Sequence, residues 1–176
     1  MTTPRNTSEF VASPELRQIA DVLLASRRIL VAGHVSPDHD TLASTLAVGA
    51  ALTAFGKEVV TFNADGVPPN MRFLPYSERL VSELPDTLRF DATLVLDSSS
   101  PDRFGPVFAS EASRARLGRT LRIDHHVAQA VFTELTYLDS TRASTGELAF
   151  ELLKTLGGTI TREMALCLYC ALVSDT

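Results

Sequence analysis

The chain has 176 residues, of which 45% are hydrophobic and 21% charged, and its formal net charge is −5. Length and composition are those of one globular domain with a sizeable core. The acidic balance argues against binding to long nucleic acid, which needs a basic face, but leaves short oligonucleotides and nucleotides open. Because no apolar run approaches transmembrane length and residues 1–13 lack an apolar signal core, we expect a cytoplasmic location and no membrane partner.

Apolar runs alternate with helical patterns along the chain, which predicts an α/β fold. We expect a mainly parallel sheet of about five strands flanked by helices. Residues 1–13 are predicted to be a flexible lead-in and residues 14–176 a single domain, whose first helix covers 14–25 with Ser13 as its N-cap. The predicted strands are 28–33, 58–62, 91–97, 119–123 and a last one near 134–138.

The connections between these strands differ in character. A helix rich in small residues follows the first strand and ends at Gly56, while residues 63–85 hold four of the nine prolines and predict a loop with short helical turns. Ser144 and Glu147 have the spacing of a capping box that opens a helix. The helices predicted after the first one are 41–55, around 106–114, from Ser144 to near 156, and near 162–172.

All four histidines lie in two clusters, and each cluster ends an apolar run that predicts a strand. Two more aspartates each end an apolar stretch of their own. Imidazole and carboxylate together suit Mn, Fe, Zn or Mg-type ions, and open parallel sheets bind ligands at the carboxyl ends of their strands. The pattern therefore predicts that distant parts of the chain converge on a metal site. The candidate residues are His34, Asp38, His39 and Asp40 in the first cluster, Asp124, His125 and His126 in the second, and Asp97 and Asp175.

A pair of metal ions would suit the hydrolysis of a phosphate ester. Two divalent ions about 3.5–4 Å apart activate a water molecule and screen charge on the phosphoryl oxygens. Asp38 and Asp40, two residues apart, can point to different ions. Asp97, isolated among apolar and hydroxyl residues, suits a carboxylate that bridges the ions, and His125 and Asp175 could complete the second one.

Each of these residues also has a purely structural interpretation. Asp40 could cap the helix that follows it, Asp97 could be a turn residue, and Asp175 could be an N-cap or a solvated terminus. The Asp-His-His triplet could be a buried hydrogen-bonded trio. Because all of these interpretations would have to hold at once, we favour the metal site.

The two cysteines, Cys167 and Cys170, form a C-x-x-C inside an apolar segment that predicts a buried helix. No second C-x-x-C exists in the sequence to complete a tetrahedral zinc site. We therefore expect two buried thiols rather than a redox motif or a metal clip.

Four motifs in this sequence resemble those of the DHH phosphoesterase superfamily, which is named for its Asp-His-His triplet. They occur in the family's order and extend from Ile29 to Thr176. Within the superfamily the sequence is most similar to the oligoribonuclease and pAp-phosphatase group, also called nanoRNases. The four motifs are His34 with Asp38 to Asp40, Asp97, Asp124 to His126, and Ser174 to Thr176; the features shared with the nanoRNase group lie at 37–41, 72–75, 102–105 and 144–147.

The resemblance implies a catalytic centre with two divalent cations, Mn²⁺ being expected ahead of Mg²⁺ or Co²⁺. Asp97 would bridge the two ions. His126 would face the scissile phosphate as a hydrogen-bond donor or proton source, and Asp124 would lie behind the ligands and orient an imidazole. The implied ligands are His34, Asp38 and Asp97 for one ion, and Asp40, Asp97, His125 and Asp175 for the other.

Three further residues are candidates for substrate contact. Arg103 and Arg142 could bind phosphate through the guanidinium fork. His39 stands where the nanoRNase group more often has glycine; it either contacts substrate or is solvated, and we favour the second. The family also carries a C-terminal substrate-binding domain with a glycine-rich, histidine-containing motif, and nothing like it occurs in this sequence. We therefore expect the chain to be the catalytic domain of a longer protein.

The function that follows is a two-metal-dependent phosphoesterase. We expect it to hydrolyse short oligoribonucleotides, the 3′-phosphate of pAp-like nucleotides, or both. The alternatives are a cyclic-dinucleotide-product phosphodiesterase, an inorganic pyrophosphatase or exopolyphosphatase and, in a different class, a non-catalytic metal-binding module. The expected partner is a short oligonucleotide or nucleotide substrate, and a homodimer stays open.

Overall fold

Five strands form one sheet in which every neighbouring pair runs parallel. The computed structural model describes residues 10–127 and 130–176, so most of the predicted lead-in lies outside the described residues. The predicted α/β class and parallel sheet are confirmed. The strands are β1 (Arg28–Gly33), β2 (Glu58–Phe62), β3 (Ala92–Leu96), β4 (Arg119–Asp124) and β5 (Leu135–Leu138).

The strand order is β2-β1-β3-β4-β5, so the chain leaves β1 toward one edge and builds the rest of the sheet on the other side. The crevice between the carboxyl ends of β1 and β3 is therefore a topological switch point, where open parallel sheets bind ligands. His34 directly follows β1 and Asp97 directly follows β3, which places both residues at this crevice.

Helices cover one face of the sheet, and an aromatic cluster covers the other. The helices are α1 (Pro14–Ala25), α2 (His39–Ala54), α3 (Glu111–Arg114), α4 (Thr145–Leu156) and α5 (Arg162–Ser174). All except α3 contribute to the hydrophobic core of the first face, whereas Phe62, Phe104 and Phe108 form the core of the second face with neighbouring loops. Ser13 and Ser144 cap α1 and α4 as predicted. No helix in the described ranges is long and apolar enough to cross a membrane.

The central helix of the domain is α2, which packs against the sheet, α4 and α5. Of its 16 residues, 12 are buried, which is typical of a helix at the centre of a domain. Glycines allow the close packing, because a Cβ on Gly33 would overlap the Thr41 methyl group and one on Gly49 would overlap the Thr61 methyl group. The N-terminus of α2 is thereby held beside the switch point.

The start of α2 corrects one prediction. The helix begins at His39, two residues earlier than the sequence predicted, and its N-cap is Asp38. Asp38 Oδ1 accepts a hydrogen bond of 2.9 Å from the backbone N–H of Thr41. The structural alternative in which Asp40 caps this helix is therefore wrong, since Asp40 lies inside the first turn and its carboxylate faces another helix.

The helix predicted around residues 106–114 is also wrong in extent. The chain forms a 3₁₀ segment, Pro101–Val107, followed by the four-residue α3. Gly105, directly before the predicted helix, has a φ of 62°, which glycine adopts without steric cost, and it kinks the 3₁₀ segment there. By contrast, the predicted loop at 63–85 contains the two short 3₁₀ turns Pro69–Met71 and Ser77–Arg79, as expected.

The last helix is less buried than its sequence predicts. Leu166 is 43% and Tyr169 63% exposed, so α5 presents apolar side chains to solvent. Cys167 is buried, and burial raises the pKa of its thiol to about 12, whereas Cys170 is half-buried. The expectation of a buried, inert thiol is therefore correct for Cys167 and only partly correct for Cys170.

Candidate metal centre

All six residues predicted as metal ligands meet at the carboxyl edge of the sheet. They are far apart in sequence, and the parallel topology brings them together because every strand delivers its last residue to the same edge. Strand ends supply His34, Asp97 and His125, the N-terminus of α2 supplies Asp38 and Asp40, and the C-cap position of α5 supplies Asp175.

The first cluster consists of His34, Asp38 and Asp97, whose ligand atoms lie within 4.8 Å of one another. His34 Nε2 is 3.6 Å from Asp38 Oδ2 and 3.4 Å from Asp97 Oδ2. His34 is buried, and its Nδ1 lies 2.7 Å from the carbonyl oxygen of Val35. With a proton on Nδ1 donated to that carbonyl oxygen, Nε2 is directed at the carboxylates, as in histidines that ligate metals.

The second cluster consists of Asp40, His125 and Asp175. His125 Nε2 lies 3.1 Å from Asp175 Oδ2, 3.8 Å from Asp40 Oδ2 and 3.8 Å from Asp97 Oδ1. The other ring nitrogen, Nδ1, is 3.4 Å from the carbonyl oxygen of Arg142. This cluster therefore has one imidazole facing three carboxylates, two of which are buried.

Asp97 lies between the two clusters and faces both. Its Oδ2 is the oxygen near His34, and its Oδ1 is the oxygen near His125. Two fully buried hydroxyls also contact it: Thr41 donates to Oδ2, and Thr145 donates to Oδ1 over 3.0 Å. The backbone of Asp97 has a φ of 59°, a left-handed conformation that is uncommon for residues other than glycine, although aspartate adopts it more readily than most.

The N-terminus of α4 holds Asp40. The backbone N–H of Thr145 donates to Oδ2 over 2.7 Å, that of Gly146 donates to Oδ1 over 2.8 Å, and the Ser44 hydroxyl lies 3.2 Å from Oδ1. Oδ1 thus accepts two hydrogen bonds and Oδ2 only one, which leaves Oδ2 available on the side of His125. The sequence marked residues 144–147 as a capping box and as a feature shared with the nanoRNase group, but it did not predict this contact with Asp40.

Burial and mutual proximity set the protonation of the clusters. Burial would lower the pKa of His34, but hydrogen bonds to Asp38 and Asp97 outweigh it and raise that pKa to about 9. Burial and repulsion by Asp97 raise the pKa of Asp40 to about 8. Asp38 and Asp97 are themselves desolvated, yet the hydrogen bond to His34 holds the pKa of each carboxyl below its ordinary value. The cation-free cluster therefore keeps protons at neutral pH that a divalent cation would displace.

One atom distinguishes a cation site from a closed hydrogen-bonded cluster. His125 Nε2 is buried and has no hydrogen-bond partner among the residues that the structure describes, although three carboxylates lie within 3.8 Å of it. Buried polar atoms are rarely left without a partner. An imidazole nitrogen surrounded by carboxylate oxygens is a donor set for Mn²⁺, Fe²⁺, Zn²⁺ or a similar ion. The residues present therefore fit a divalent cation.

His126 lies beside the two clusters and forms a third possible ligand group with Asp97 and His125, its Nδ1 being 3.6 Å from Asp97 Oδ1. Asp124 is fully buried, and its Oδ1 accepts from both the backbone N–H of His126 (3.0 Å) and the ring Nδ1 (2.8 Å). These two contacts fix the His126 ring and leave its Nε2 available for another partner. The His126 side chain is 45% exposed. Asp124 thus orients His126 rather than one of the histidines inside the two clusters.

The predicted substrate contacts separate into two groups. The guanidinium of Arg103 lies 3.1 Å from His34 Nδ1, at the rim of the first cluster. The ring of His39 lies 6.3 Å, centroid to centroid, from the ring of Phe73, which is 61% exposed. Arg142, in contrast, is surrounded by carboxylates and its charge is already compensated. Its partners are Asp139 at 3.1 Å, Glu147 at 3.0 Å and Glu151 at 2.6 Å.

The fold and the site together define an α/β domain with carboxylate–histidine clusters of the divalent-metal type at its topological switch point. The chain belongs to the DHH family: residues 28–172 match the family's N-terminal domain. It is 36% identical over 165 residues to the bifunctional oligoribonuclease and PAP phosphatase NrnA of Thermus thermophilus, covering 92% of this chain and 48% of that protein.

Two solved structures share this fold. An exopolyphosphatase-related protein from Bacteroides fragilis superimposes with a TM-score of 0.86 at 25% identity, over 96% of this chain and 52% of that one. RecJ of Thermus thermophilus in complex with Mn²⁺ superimposes with a TM-score of 0.61 at 20% identity, over 94% of this chain and 24% of that one. The chain therefore spans about half the length, or less, of the relatives it matches.

Proposed function

We propose that the chain is the catalytic domain, residues 14–176, of a phosphoesterase that uses two divalent cations. The observation that carries the proposal is Asp97, whose two carboxylate oxygens face two separate clusters of ligands. One ion would be held by His34, Asp38 and Asp97, and the other by Asp40, Asp97, His125 and Asp175. Mn²⁺ is the proposed metal, since mixed imidazole and carboxylate ligands suit it and RecJ of Thermus thermophilus binds it.

The bound ions would activate a water molecule and screen the negative charge of the phosphoryl oxygens. The residues of the chain supply the rest. His126, held by Asp124 through Nδ1, presents Nε2 to a phosphate oxygen or to the leaving group, and can donate a proton there. Arg103 lies at the rim of the first cluster, where its charge favours an anion.

We propose nucleotides or short oligoribonucleotides as substrates. The Thermus relative is named as an oligoribonuclease and PAP phosphatase, and this chain is 36% identical to it. The ring pair of His39 and Phe73 adds independent support. His39 stands between the two candidate ligands Asp38 and Asp40, so the exposed Phe73 ring lies near the site and offers a surface on which a nucleobase can stack. We further propose a cytoplasmic enzyme.

A second candidate is hydrolysis of a phosphoanhydride. It is favoured by the fold match to the exopolyphosphatase-related protein of Bacteroides fragilis. A polyphosphate has no base, so Phe73 would have no partner in such a substrate. Nucleotide substrates are therefore preferred for this chain.

The test is turnover by the chelator-treated chain after addition of Mn²⁺. We expect slow, Mn²⁺-dependent release of nucleotide from a diadenylate and of phosphate from pAp, and little release of phosphate from tripolyphosphate. His34→Gln and His125→Gln should each abolish turnover, whereas Phe150→Ala, an exposed residue of α4, should not. Binding of Mn²⁺ without turnover of any phosphate ester would contradict the proposal and leave a non-catalytic metal-binding module. Faster turnover of tripolyphosphate would favour the second candidate.

A further inference from the structure

The two buried threonine hydroxyls at Asp97 divide its carboxylate between the two clusters. Each carboxylate oxygen has two lone pairs, and each oxygen receives one threonine hydroxyl. Thr41 occupies one lone pair of Oδ2, the oxygen near His34, and Thr145 occupies one lone pair of Oδ1, the oxygen near His125. The remaining lone pair of Oδ2 faces His34, and that of Oδ1 faces His125.

From this geometry we infer that Thr41 and Thr145 are positioning residues which make Asp97 bridge the two ions through separate oxygens, Oδ2 to the first cluster and Oδ1 to the second. The inference rests on the proposed two-metal function. It assigns each threonine to one ion. Loss of the Thr41 hydroxyl should weaken the ion at His34, and loss of the Thr145 hydroxyl should weaken the ion at His125.

The surroundings of both threonines keep their hydroxyls aimed at Asp97. The Thr41 methyl group lies against the backbone of Gly33, at a distance that no side chain on Gly33 would allow. This packing leaves the hydroxyl on the opposite side, toward Asp97. Thr145 is the first residue of α4, and its backbone N–H is already committed to Asp40. Both residues are fully buried, so their hydroxyls have no water to compete for them.

The two threonine hydroxyls help to fix the orientation of the Asp97 side chain. With a φ of 59°, this residue lies in the left-handed region, which has a steric cost for residues with a Cβ, although aspartate enters it more readily than most. The hydroxyls of Thr41 and Thr145 help to hold its carboxylate in one rotamer. Without one of them, the carboxylate would be free to rotate and present a single oxygen to one ion.

The test is Mn²⁺ binding by the full 176-residue chain, measured by calorimetry and by electron paramagnetic resonance, which separates a coupled Mn²⁺ pair from isolated ions. Thr145→Val should weaken one of two sites about 10- to 100-fold and replace the coupled signal by that of isolated Mn²⁺, the range seen when partners of metal ligands are removed. Thr145→Ser keeps the hydroxyl and should restore wild-type binding. Thr41→Val and Thr41→Ser should behave in the same way at the other site.

The assignment of each threonine to one ion is tested in the His34→Gln background, which keeps only the second cluster. In that background Thr145→Val should weaken the remaining ion, and Thr41→Val should leave its affinity within about threefold. The matched control is Thr45→Val. Thr45 is equally buried one turn along α2, and its hydroxyl has no partner among the described residues, so this variant should bind both ions normally.

Three results would overturn the inference. The first is unchanged binding and an unchanged coupled signal in Thr41→Val and Thr145→Val, both folded by circular dichroism. The second is a reversed assignment in the His34→Gln background. The third is binding of fewer than two Mn²⁺ by the wild-type chain, which would overturn the proposed two-metal function as well and is seen before any variant is made.

Discussion

The two ends of the parallel sheet treat their charged residues in opposite ways. At the amino end, Asp91 accepts hydrogen bonds from the backbone N–H groups of Arg27 and Arg28, and Glu58 pairs with both arginines at 2.8 Å. These groups are well exposed; the Arg27 side chain is 82% accessible. At the carboxyl end, Asp40 and Asp97 are buried, and their neighbours are histidines, threonines and other carboxylates.

This difference distinguishes charged residues that serve the structure from charged residues that form a functional site. A carboxylate paired with a surface arginine is already neutralised, and such pairs contribute little to stability. Among the described residues, the ion-pair partners of the carboxylates at the other end are histidines and not arginine or lysine, and burial makes the mutual repulsion of these carboxylates costly. Buried carboxylates this close together are stable when protons or cations offset their charge, and such a group is typical of a site that binds metal.

The largest expected effect comes from removing one charge at the carboxyl end. Asp97→Asn should weaken both ions and lower activity by more than about a hundredfold, since one carboxylate serves two clusters and losses from residues behind metal ligands already reach 10- to 100-fold. Asp124→Asn should lower activity within that smaller range and retain both ions. Metal content per chain and kcat on pAp measure this. Glu58→Gln, at the amino end of the sheet, should change neither the metal content nor kcat. Tight binding of two ions by Asp97→Asn would contradict the bridging role of Asp97.

Added metal should stabilise the folded domain by binding at the carboxyl end of the sheet, and this gain should not depend on the charges at the amino end. A ligand at a hundred times its dissociation constant stabilises the folded state by about 2.7 kcal/mol, which for a domain of this size raises Tm by roughly 5–10 °C per ion. Thermal melts of the chelator-treated chain with and without Mn²⁺ measure the shift. Glu58→Gln should show the same shift as the wild type, and His125→Gln a smaller one. An unchanged Tm at saturating Mn²⁺ would argue against any metal centre.

A smaller effect is expected for the exposed aromatic ring at the carboxyl end. Stacking on an aromatic side chain is worth about 1–3 kcal/mol per base, so Phe73→Ala should weaken nucleotide affinity about 5- to 150-fold. Because the chain has no tryptophan, Phe73→Trp supplies a unique fluorophore that AMP should quench and ribose 5-phosphate should not. Phe55, 37% exposed at the opposite end of α2, is the control position for both substitutions. Equal affinities for AMP in Phe73→Ala and wild type would exclude stacking.

The stability of the metal-free chain should also depend on pH. His34 has a folded pKa of about 9 against an ordinary 6.5, and Asp40 about 8 against 3.8. Both are raised, so each contributes stability below its ordinary pKa that is lost as pH rises through its folded value. Asp38 and Asp97, whose pKa values are lowered, stay ionised and contribute no slope in this window.

Chelator-treated protein should therefore lose stability from pH 6.5 to 9, and Mn²⁺ should reverse the trend because it displaces protons from the same atoms. Urea unfolding across this range, with His34→Gln as the variant of reduced slope, checks the prediction. A metal-free stability that rises with pH would contradict it.

Much of the fold was predictable because local signals were strong. Ser13 and Pro14 define the start of α1, and alternating apolar runs locate every strand to within one or two residues. The strand order was not predictable, since it depends on pairing between residues far apart in the chain. The extent of the helix predicted around residues 106–114 was wrong because hydrophobic periodicity does not separate a 3₁₀ segment and a four-residue helix from one longer helix.

The residues of the candidate site were also predictable only in part. Residues with distinctive chemistry, such as His34 and His125, were candidates from sequence because histidine is rare in this chain. Thr41 and Thr145 were missed because threonine is common and its usual position near a helix start has an ordinary explanation in capping. Only the three-dimensional structure shows that both hydroxyls meet one carboxylate.

The burial of α2 has a consequence for how the protein is made. This helix is complete by Ala54, yet one of its main packing partners, α5, is synthesised more than a hundred residues later. A nascent chain on the ribosome therefore carries an apolar helix without its cover until α5 has emerged from the exit tunnel. Such contacts between distant segments slow folding and expose the intermediate to aggregation. Slow translation before α5, or early release of the chain, should increase its dependence on chaperones.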